Sequence, residues 1–330
     1  MMQRSGWKQC GGGRSLSRFA ALALAGACVA SPVLAQDYPQ KPIRFIVGPS
    51  PDILARMLGD KLTEAWKQPV VIDLRPAASG LVAADSVAKA PPDGYTILLG
   101  TATDPINETL FASVKPYTLT RDLAPVSYLA TVPFFLVINS NVKANSLPEL
   151  MQLAKANPGK LNYTTPGSGT PPHLAAELLN RAAGISLVHV PYKTVPDMMK
   201  DLLAGETQVS FAVAPAALPH VKTGKLKALA VSSATRFPGA PEIPTVAETY
   251  SGFKVVGWYG LLTTAGTPKP VIDKLSAEVN KILKVPEIQE RMRGLGMEPG
   301  GSTPEEHGAI IRNELATWEK VIKEFNIKAN

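Results

Sequence analysis

The segment IRFIVGPSPDILARMLGDKLTEAW, residues 43–66, decides the fold class of this chain. Its first five residues form an apolar, β-branched run, which predicts a strand over Ile43–Val47. From Asp52 to Trp66 the apolar side chains recur every three or four residues, which predicts a helix with one buried face. A strand joined to a helix by a short loop is the repeating unit of an α/β protein.

The same alternation of strands and helices continues along the chain. Further strands are predicted at 70–74, 96–99, 134–138, 161–164, 187–190, 209–213, 226–231 and 255–262. Helices are predicted at 81–89, 147–157, from His173 onward, and at 270–283, 287–295 and 303–325. The run 134–138 is apolar throughout, as in a strand covered on both faces. We expect the chain to cross between two sheets near 128–133 and again near 232–245.

The first 35 residues have the pattern of a cleaved export signal. A basic, acid-free opening precedes the apolar run 19–30, and Val33-Leu34-Ala35 supplies small residues for cleavage. The apolar run is too short to span a bilayer. We therefore expect a mature chain that begins at Gln36 in the periplasm. Two alternatives are a buried N-terminal helix and lipid attachment at Cys28, for which the preceding Ala-Gly-Ala is a poor context.

Composition excludes several classes of protein. Of the formal net charge of +7, the leader contributes four positive charges, so the mature chain carries about +3 without a basic stripe. Nucleic acid is therefore not an expected partner. Both cysteines lie in the leader, so the mature chain has no thiol for catalysis, disulfides or metal binding. The histidines at 173, 189, 220 and 307 are dispersed, and neither a metal nor a cofactor is predicted.

Loops that follow the predicted strands carry glycine and hydroxyl residues. They span 48–51, 77–80, 100–103 and 165–172. Glycine backbone N–H groups, hydroxyls and the N-terminus of the helix from His173 can together hold a carboxylate without a lysine. Ligands of open α/β sheets bind where such strand ends meet. The segment 165–172 is also compatible with an ordinary strand-to-helix loop. If it binds the anion, Gly169→Asp is expected to abolish binding, because it places a like charge at the helix N-terminus.

Motifs spread over the whole mature chain resemble those of the Bug family, the periplasmic solute-binding proteins of tripartite tricarboxylate transporters. They are YPQKPIR at 38–44, DILAR at 52–56, QPVV at 68–71, RP at 75–76, PDGYT at 92–96, IN at 106–107, LNY at 161–163, HLA at 173–175, VPYK at 190–193, DLLAG at 201–205, PTVAE at 244–248, GWYGL at 257–261, GTP at 266–268 and GSTPEE at 301–306.

The resemblance implies a two-lobed periplasmic-binding-protein-like α/β fold of type II, each lobe a sheet flanked by helices, joined by two crossing strands. We expect lobe 1 at 36–131 and 240–330, and lobe 2 at 132–239. The protein would capture a small carboxylate between the lobes, as a monomer, and deliver it to membrane permease subunits. The implied ligand is a di- or tricarboxylate, an aromatic acid or an acidic amino acid. Carried over by position, the ligand-binding residues are Gly48, Ser50, Ala78, Ser79, Gly80, Thr101, Thr103, Asn107, Gly167, Ser168, Gly169, Thr170, His173, Tyr192 and Thr194.

The chain departs from the family pattern at the implied site. After the first strand the family has a longer Pro- and Gly-rich loop, whereas only Gly-Pro-Ser-Pro stands at 48–51, and prolines supply no N–H donor. Thr194 and Val195 stand where small residues are usual. Asp104 lies beside an implied pocket loop and would repel an acidic ligand unless it points away or binds an amino group. Trp258, like Tyr192, is compatible with either the cleft or the core.

Two other functions fit the residues less closely. A periplasmic hydrolase would use Ser168 or Ser50 as nucleophile and need a histidine such as His173 nearby. An orphan binding protein would serve a sensor instead of a transporter. Neighbouring permease genes would favour transport, and a neighbouring sensor kinase would favour signalling.

Overall fold

The computed structural model describes residues 38–324 and 327–328. The predicted leader lies outside the described residues. No helix within the described ranges combines the length and the apolar character needed to cross a membrane.

Strands and helices alternate over the described chain as the sequence pattern predicts. The strands are β1 (Ile43–Val47), β2 (Val70–Leu74), β3 (Thr96–Thr101), β4 (Leu123–Asn139), β5 (Asn162–Thr165), β6 (Val188–Pro191), β7 (Val209–Val213), β8 (Leu226–Val231), β9 (Val256–Thr264) and β10 (Glu298–Pro299). The helices are α1 (Ile53–Trp66), α2 (Leu81–Ala88), α3 (Thr103–Leu110), α4 (Leu119–Asp122), α5 (Leu147–Ala156), α6 (Pro171–Ala183), α7 (Val195–Ala204), α8 (Ala214–Lys222), α9 (Lys269–Leu283), α10 (Pro286–Gly294) and α11 (Pro304–Glu324).

Strand β4 belongs to two sheets in succession. Its residues 123–133 pair with β9, in a sheet of order β2-β1-β3-β9-β4 whose first three strands are parallel. From Phe134 onward β4 pairs instead with β7 and β8, and β7 continues into β5 and β6. The structure is therefore two α/β halves joined through one strand.

The sequence pattern predicted only the central part of β4. The apolar run covers 134–138, whereas the strand begins at Leu123. Pro125 interrupts the sequence pattern, and the structure accommodates it where the register with β9 shifts, between Pro125 and Ser127. A β-bulge is one of the few positions where a sheet tolerates proline.

Local sequence signals fix the helix starts. Ser146 Oγ accepts a hydrogen bond from the Glu149 N–H at 3.3 Å, and the Glu149 carboxylate accepts one from the Asn145 N–H at 2.9 Å. Thr303 and Glu306 exchange the equivalent pair of bonds before α11. Both predicted N-termini are thus capped.

Each half has its own apolar core. In the first half Phe45 and Leu261 of the sheet pack with Leu58 of α1 and Leu275 of α9. In the second half the strand β4 packs with α5 and α6, and the same cluster contains Val246, Phe253 and Val255 from the return segment, together with Trp318 and Ile322 of α11. The lobe limits at 131/132 and 239/240 remain a prediction.

Candidate ligand-binding site

A cavity of about 100 Å³ lies between the two halves. It is bounded by the loops after β1 and β5, the end of β3, the start of α6, the helix α7, and strands β4, β7 and β9. Within the described parts of the chain, no acidic, basic or histidine side chain lines it. The cavity is thus built by both halves and must recognise its ligand without a charged side chain.

Hydroxyl side chains form the polar part of the cavity lining. Ser50, Thr101, Thr103 and Thr170 were all predicted as ligand-binding residues, and Tyr259, which also carries a hydroxyl, lines the cavity as well. Ser50 Oγ is buried and has no hydrogen-bond partner among the described residues. Thr170 Oγ1 donates to the Gly167 carbonyl at 2.8 Å, which ties the cavity wall to the loop behind it. A buried hydroxyl without a partner costs free energy, so Ser50 is poised to donate to an incoming acceptor.

Apolar side chains form the opposite part of the lining, here called the apolar wall. Its members are Val132, Phe134, Val195, Met198, Phe211 and Val213. Phe134 and Val213 are neighbours because the strands β4 and β7 pair at these two residues. Pro49, Pro51, Pro166, Pro171 and Pro172 also line the cavity and bring no backbone N–H.

Eight other predicted residues meet beside the cavity, in what we call the loop junction. They are Gly48, Ala78, Ser79, Gly80, Asn107, Gly167, Ser168 and Gly169. Ser79 Oγ donates to the Ser168 carbonyl at 3.2 Å, and Asn107 Nδ2 donates to the Ser79 carbonyl at 2.9 Å. A Cβ atom on Gly48 would lie 3.4 Å from the Gly80 Cα atom. The junction therefore joins loops of the first half to the loop after β5 in the second.

The junction contains unusual backbone conformations. Ala78 and Ser79 have φ angles of 49° and 51°, and Gly80 follows at 92°. Residues other than glycine rarely adopt left-handed values, which cost about 1–2 kcal/mol each. Gly169 has φ of 77°, and a Cβ atom there would lie 2.6 Å from Leu110 Cδ2. Gly169 thus lets the loop after β5 approach α3 closely.

His173 lies behind the junction instead of lining the cavity. Its Nδ1 accepts the Gly169 N–H at 3.2 Å, so this N–H, expected to hold a carboxylate, already has a partner. The His173 ring stacks on His189 with 4.2 Å between centroids, and the Tyr163 ring also stacks on His189, at 4.8 Å. Burial lowers the pKa of His173, and burial together with the neighbouring His173 lowers that of His189 to about 3. Both rings are neutral at pH 7.

The histidine pair was not visible in the sequence. The two residues are dispersed in the chain, but α6 and β6 bring them together. His189 Nε2 lies 2.7 Å from Thr165 Oγ1 at the start of the loop. The two stacked histidine rings therefore support the loop after β5 through their contacts with Thr165 and Gly169. No group of three or more His, Cys, Asp or Glu side chains in the described ranges could hold a metal ion.

Asp104 points away from the cavity. Its Oδ2 accepts the Thr101 N–H at 2.7 Å, and the residue is only 5% exposed. Burial raises the pKa of this carboxyl group to about 7, partly opposed by the hydrogen bond from Thr101. Asp104 therefore shapes the turn between β3 and α3, whose residues Thr101 and Thr103 line the cavity.

Tyr192 and Thr194 serve local structure. The Tyr192 hydroxyl donates to Asp201 Oδ2 at 2.5 Å, while its backbone N–H donates to the Thr165 carbonyl at 2.9 Å. Thr194 Oγ1 accepts the Asp197 N–H at 3.3 Å as the N-cap of α7, and Thr194 is exposed. Neither side chain lines the cavity.

Sequence reasoning missed most of the apolar wall. Phe134, Phe211 and Val213 were assigned to strands and not to the site. Of Tyr192 and Trp258, the two aromatic residues considered for the cleft, only Trp258 lines the cavity. The alternation of residues along a strand shows which side chains share a face. It does not show which of the two faces borders a cavity, because the cavity depends on how the other strands and helices pack.

A two-lobed α/β protein with a cavity between its halves has the architecture of a cleft-binding receptor of the periplasmic-binding-protein type. The model of the tripartite tricarboxylate transporter family receptor, TctC, matches residues 54–327. The chain belongs to this receptor family, and the resemblance noted from its motifs is confirmed.

Individual relatives agree with this assignment. The chain is 34% identical over 312 residues to protein BugT of Bordetella pertussis strain Tohama I, covering 92% of this chain and 95% of BugT. It is similar in structure to R. palustris Rpa4515 with adipate, with a TM-score of 0.85 and 31% identity over 88% of this chain and 99% of that one. The periplasmic binding protein BugD gives a TM-score of 0.82 and 31% identity over 89% of this chain and all (100%) of BugD.

Proposed function

We propose that this protein is the periplasmic receptor of a tripartite tricarboxylate-type transporter, and that it captures a small carboxylate in the cavity between its halves. The observation that carries the proposal is the family match together with a cavity whose polar groups are hydroxyls at strand and helix ends. Rpa4515, a similar structure, holds adipate, a carboxylate.

The cavity lining can supply the binding energy without a cation. A micromolar ligand requires about 8 kcal/mol. Hydrogen bonds to a charged group contribute about 1.5–3 kcal/mol each, so donors from Ser50, Thr101 and Thr103 supply about 4.5–9 kcal/mol, which reaches this value with little surplus. The Thr170 hydroxyl is not counted because it already donates to the Gly167 carbonyl. Thr170 is also the N-cap residue of α6, whose dipole favours an anion nearby. The proposed affinity is therefore moderate, in the micromolar range.

The loop junction supports capture by closure. Asn107 Nδ2 donates to the Ser79 carbonyl within the first half, and Ser79 Oγ donates to the Ser168 carbonyl of the second half. The bond from Ser79 to Ser168 therefore forms only when the halves approach. Release of the ligand to permease subunits would separate them, in a hinge motion about β4. In this role the protein acts as a monomer after its leader is removed.

Hydrolysis by a serine nucleophile is not favoured by the geometry. Ser50 faces the cavity, but no histidine is among the described residues that line it. His173 Nδ1 already accepts a hydrogen bond from the Gly169 N–H. A nucleophilic serine requires a base within hydrogen-bond reach, so binding without catalysis is the function we propose.

Calorimetric titration of the mature chain from Gln36 tests this function. Adipate, malate, citrate, aspartate, hexanoate and benzoate form the acid panel, and hexanamide and benzamide are neutral controls. We expect saturable heat with at least one acid at micromolar concentration and none with its amide. Absence of heat with every acid, or equal binding of an amide and its acid, would contradict carboxylate capture.

A further inference from the structure

The cavity is much less polar than capture of a di- or tricarboxylate requires. Ser50, Thr101 and Thr103 supply hydroxyl donors enough for one carboxylate, and Tyr259 is the further hydroxyl-bearing residue of the lining besides Thr170, which already donates to Gly167. The apolar wall presents aliphatic, aromatic and thioether groups. A second carboxylate placed against it would lose its water and find no cation among the described residues that line the cavity.

The prolines strengthen this restriction. In many α/β receptors, backbone N–H groups of the strand-end loops can hold an anion. Here Pro49 and Pro51 flank Ser50, and Pro171 and Pro172 begin α6. Because proline has no N–H, these loops supply fewer donors to the cavity than other residues would. The loops thus provide rigid apolar surface instead of a second anion site.

The size of the cavity limits the body of the ligand. A cavity of about 150 Å³ lined by apolar side chains holds one benzene molecule. The cavity here is about 100 Å³, smaller than that, so it accepts a short hydrocarbon chain as it stands and a single ring only when the halves separate slightly.

Building on the proposed carboxylate capture, we propose that the ligand is a monocarboxylate whose body is one ring or a short hydrocarbon chain. Its carboxylate accepts hydrogen bonds from Ser50 and the neighbouring threonine hydroxyls. Its body lies on the apolar wall, formed by β4, β7 and α7. Each methylene buried there tightens binding about fourfold.

A matched pair of acids tests the proposal. Hexanoate and adipate have the same six-carbon chain and differ in the second carboxylate. We expect the mature chain to bind hexanoate and benzoate at least tenfold more tightly than adipate in calorimetric titration. Equal or tighter binding of adipate, malate or citrate would overturn this inference while leaving carboxylate capture intact. Failure of every acid to bind would overturn both.

A variant locates the apolar end of the ligand. Val195 is half-buried at the start of α7 and lines the cavity, so Val195→Lys adds a cation to the apolar wall at a position open to solvent. We expect it to shift the hexanoate-to-adipate affinity ratio at least tenfold toward adipate. Ala204→Lys adds the same charge at the exposed end of α7, outside the cavity lining, and should leave the ratio unchanged. An unchanged ratio in Val195→Lys, with both variants folded by circular dichroism, would overturn the placement.

Discussion

Replacing Gly169 by alanine tests whether closure of the loop junction contributes to capture. Gly169 has φ of 77°, and a Cβ atom there would lie 2.6 Å from Leu110 Cδ2 and 3.3 Å from Phe111 Cε2. The left-handed conformation costs alanine about 1 kcal/mol or more, and overpacking adds about 1–3 kcal/mol. The contact joins the loop after β5 to α3, so the clash opposes the closed arrangement specifically.

The expected loss of affinity follows from these terms. Only the clash is specific to the closed state, and its penalty of about 1–3 kcal/mol weakens binding about fivefold to 150-fold. An aspartate at this position would add charge repulsion to the same clash, so alanine isolates the steric effect. Calorimetric titration with the tightest acid measures the affinity, and thermal unfolding measures stability.

Gly184 provides the matched control. It has φ of 62° at the end of α6, and a Cβ atom there would meet nothing within 4 Å. Gly184→Ala therefore has the same backbone cost without the clash, and should lower stability slightly while leaving affinity unchanged. The reasoning is refuted if Gly169→Ala binds within threefold of the wild type, or if Gly184→Ala weakens binding equally.

Three further predictions concern single side chains. Ser50→Ala removes a buried hydroxyl that has no partner among the described residues, so calorimetry should show at least a tenfold loss of affinity without a lower melting temperature, whereas Ser186→Ala, at an exposed position, should change neither. Folding raises the pKa of Asp104 to about 7, so its contribution to stability falls as pH rises from about 4 to 7. Asp104→Asn should therefore be more stable than the wild type at pH 8, by about 2–4 kcal/mol in denaturant unfolding, and this advantage should disappear near pH 4. An equal difference in stability at both pH values would contradict a raised pKa of the Asp104 carboxyl group. Folding lowers the pKa of His189 to about 3, so the free energy of unfolding decreases as pH falls below about 6.5. His189→Phe should make this decrease shallower. An unchanged pH dependence in the variant would show that His189 does not cause it.

Much of the fold followed from the sequence because local patterns agreed with the final structure. The strands β7 and β8 have the predicted bounds, since both are short apolar runs between turns. Strand β4 was predicted too short, because Pro125 and Pro133 interrupt its pattern and the bulges that accommodate proline depend on the partner strand β9. Pairing with a distant strand overrode the local signal.

The candidate site was less accessible from sequence. The hydroxyls of Ser50, Thr101, Thr103 and Thr170 follow strands, and strand ends converge in α/β folds, so their cavity positions could be expected. The positions of the apolar wall could not be expected, because its β4 residues Val132 and Phe134 lie where this strand changes partner from β9 to β7 and β8, and that change has no local signal in the sequence. The stack of His173 on His189 joins a helix to a strand, a contact without any local signature.

A crystal structure of the mature chain with its tightest-binding monocarboxylate tests the central claim most directly. The account predicts the carboxylate within hydrogen-bond distance of Ser50 Oγ and the hydrocarbon body in contact with Phe134 and Phe211. A ligand bound outside the space between the halves, or one whose carboxylate faces the apolar wall, would contradict it.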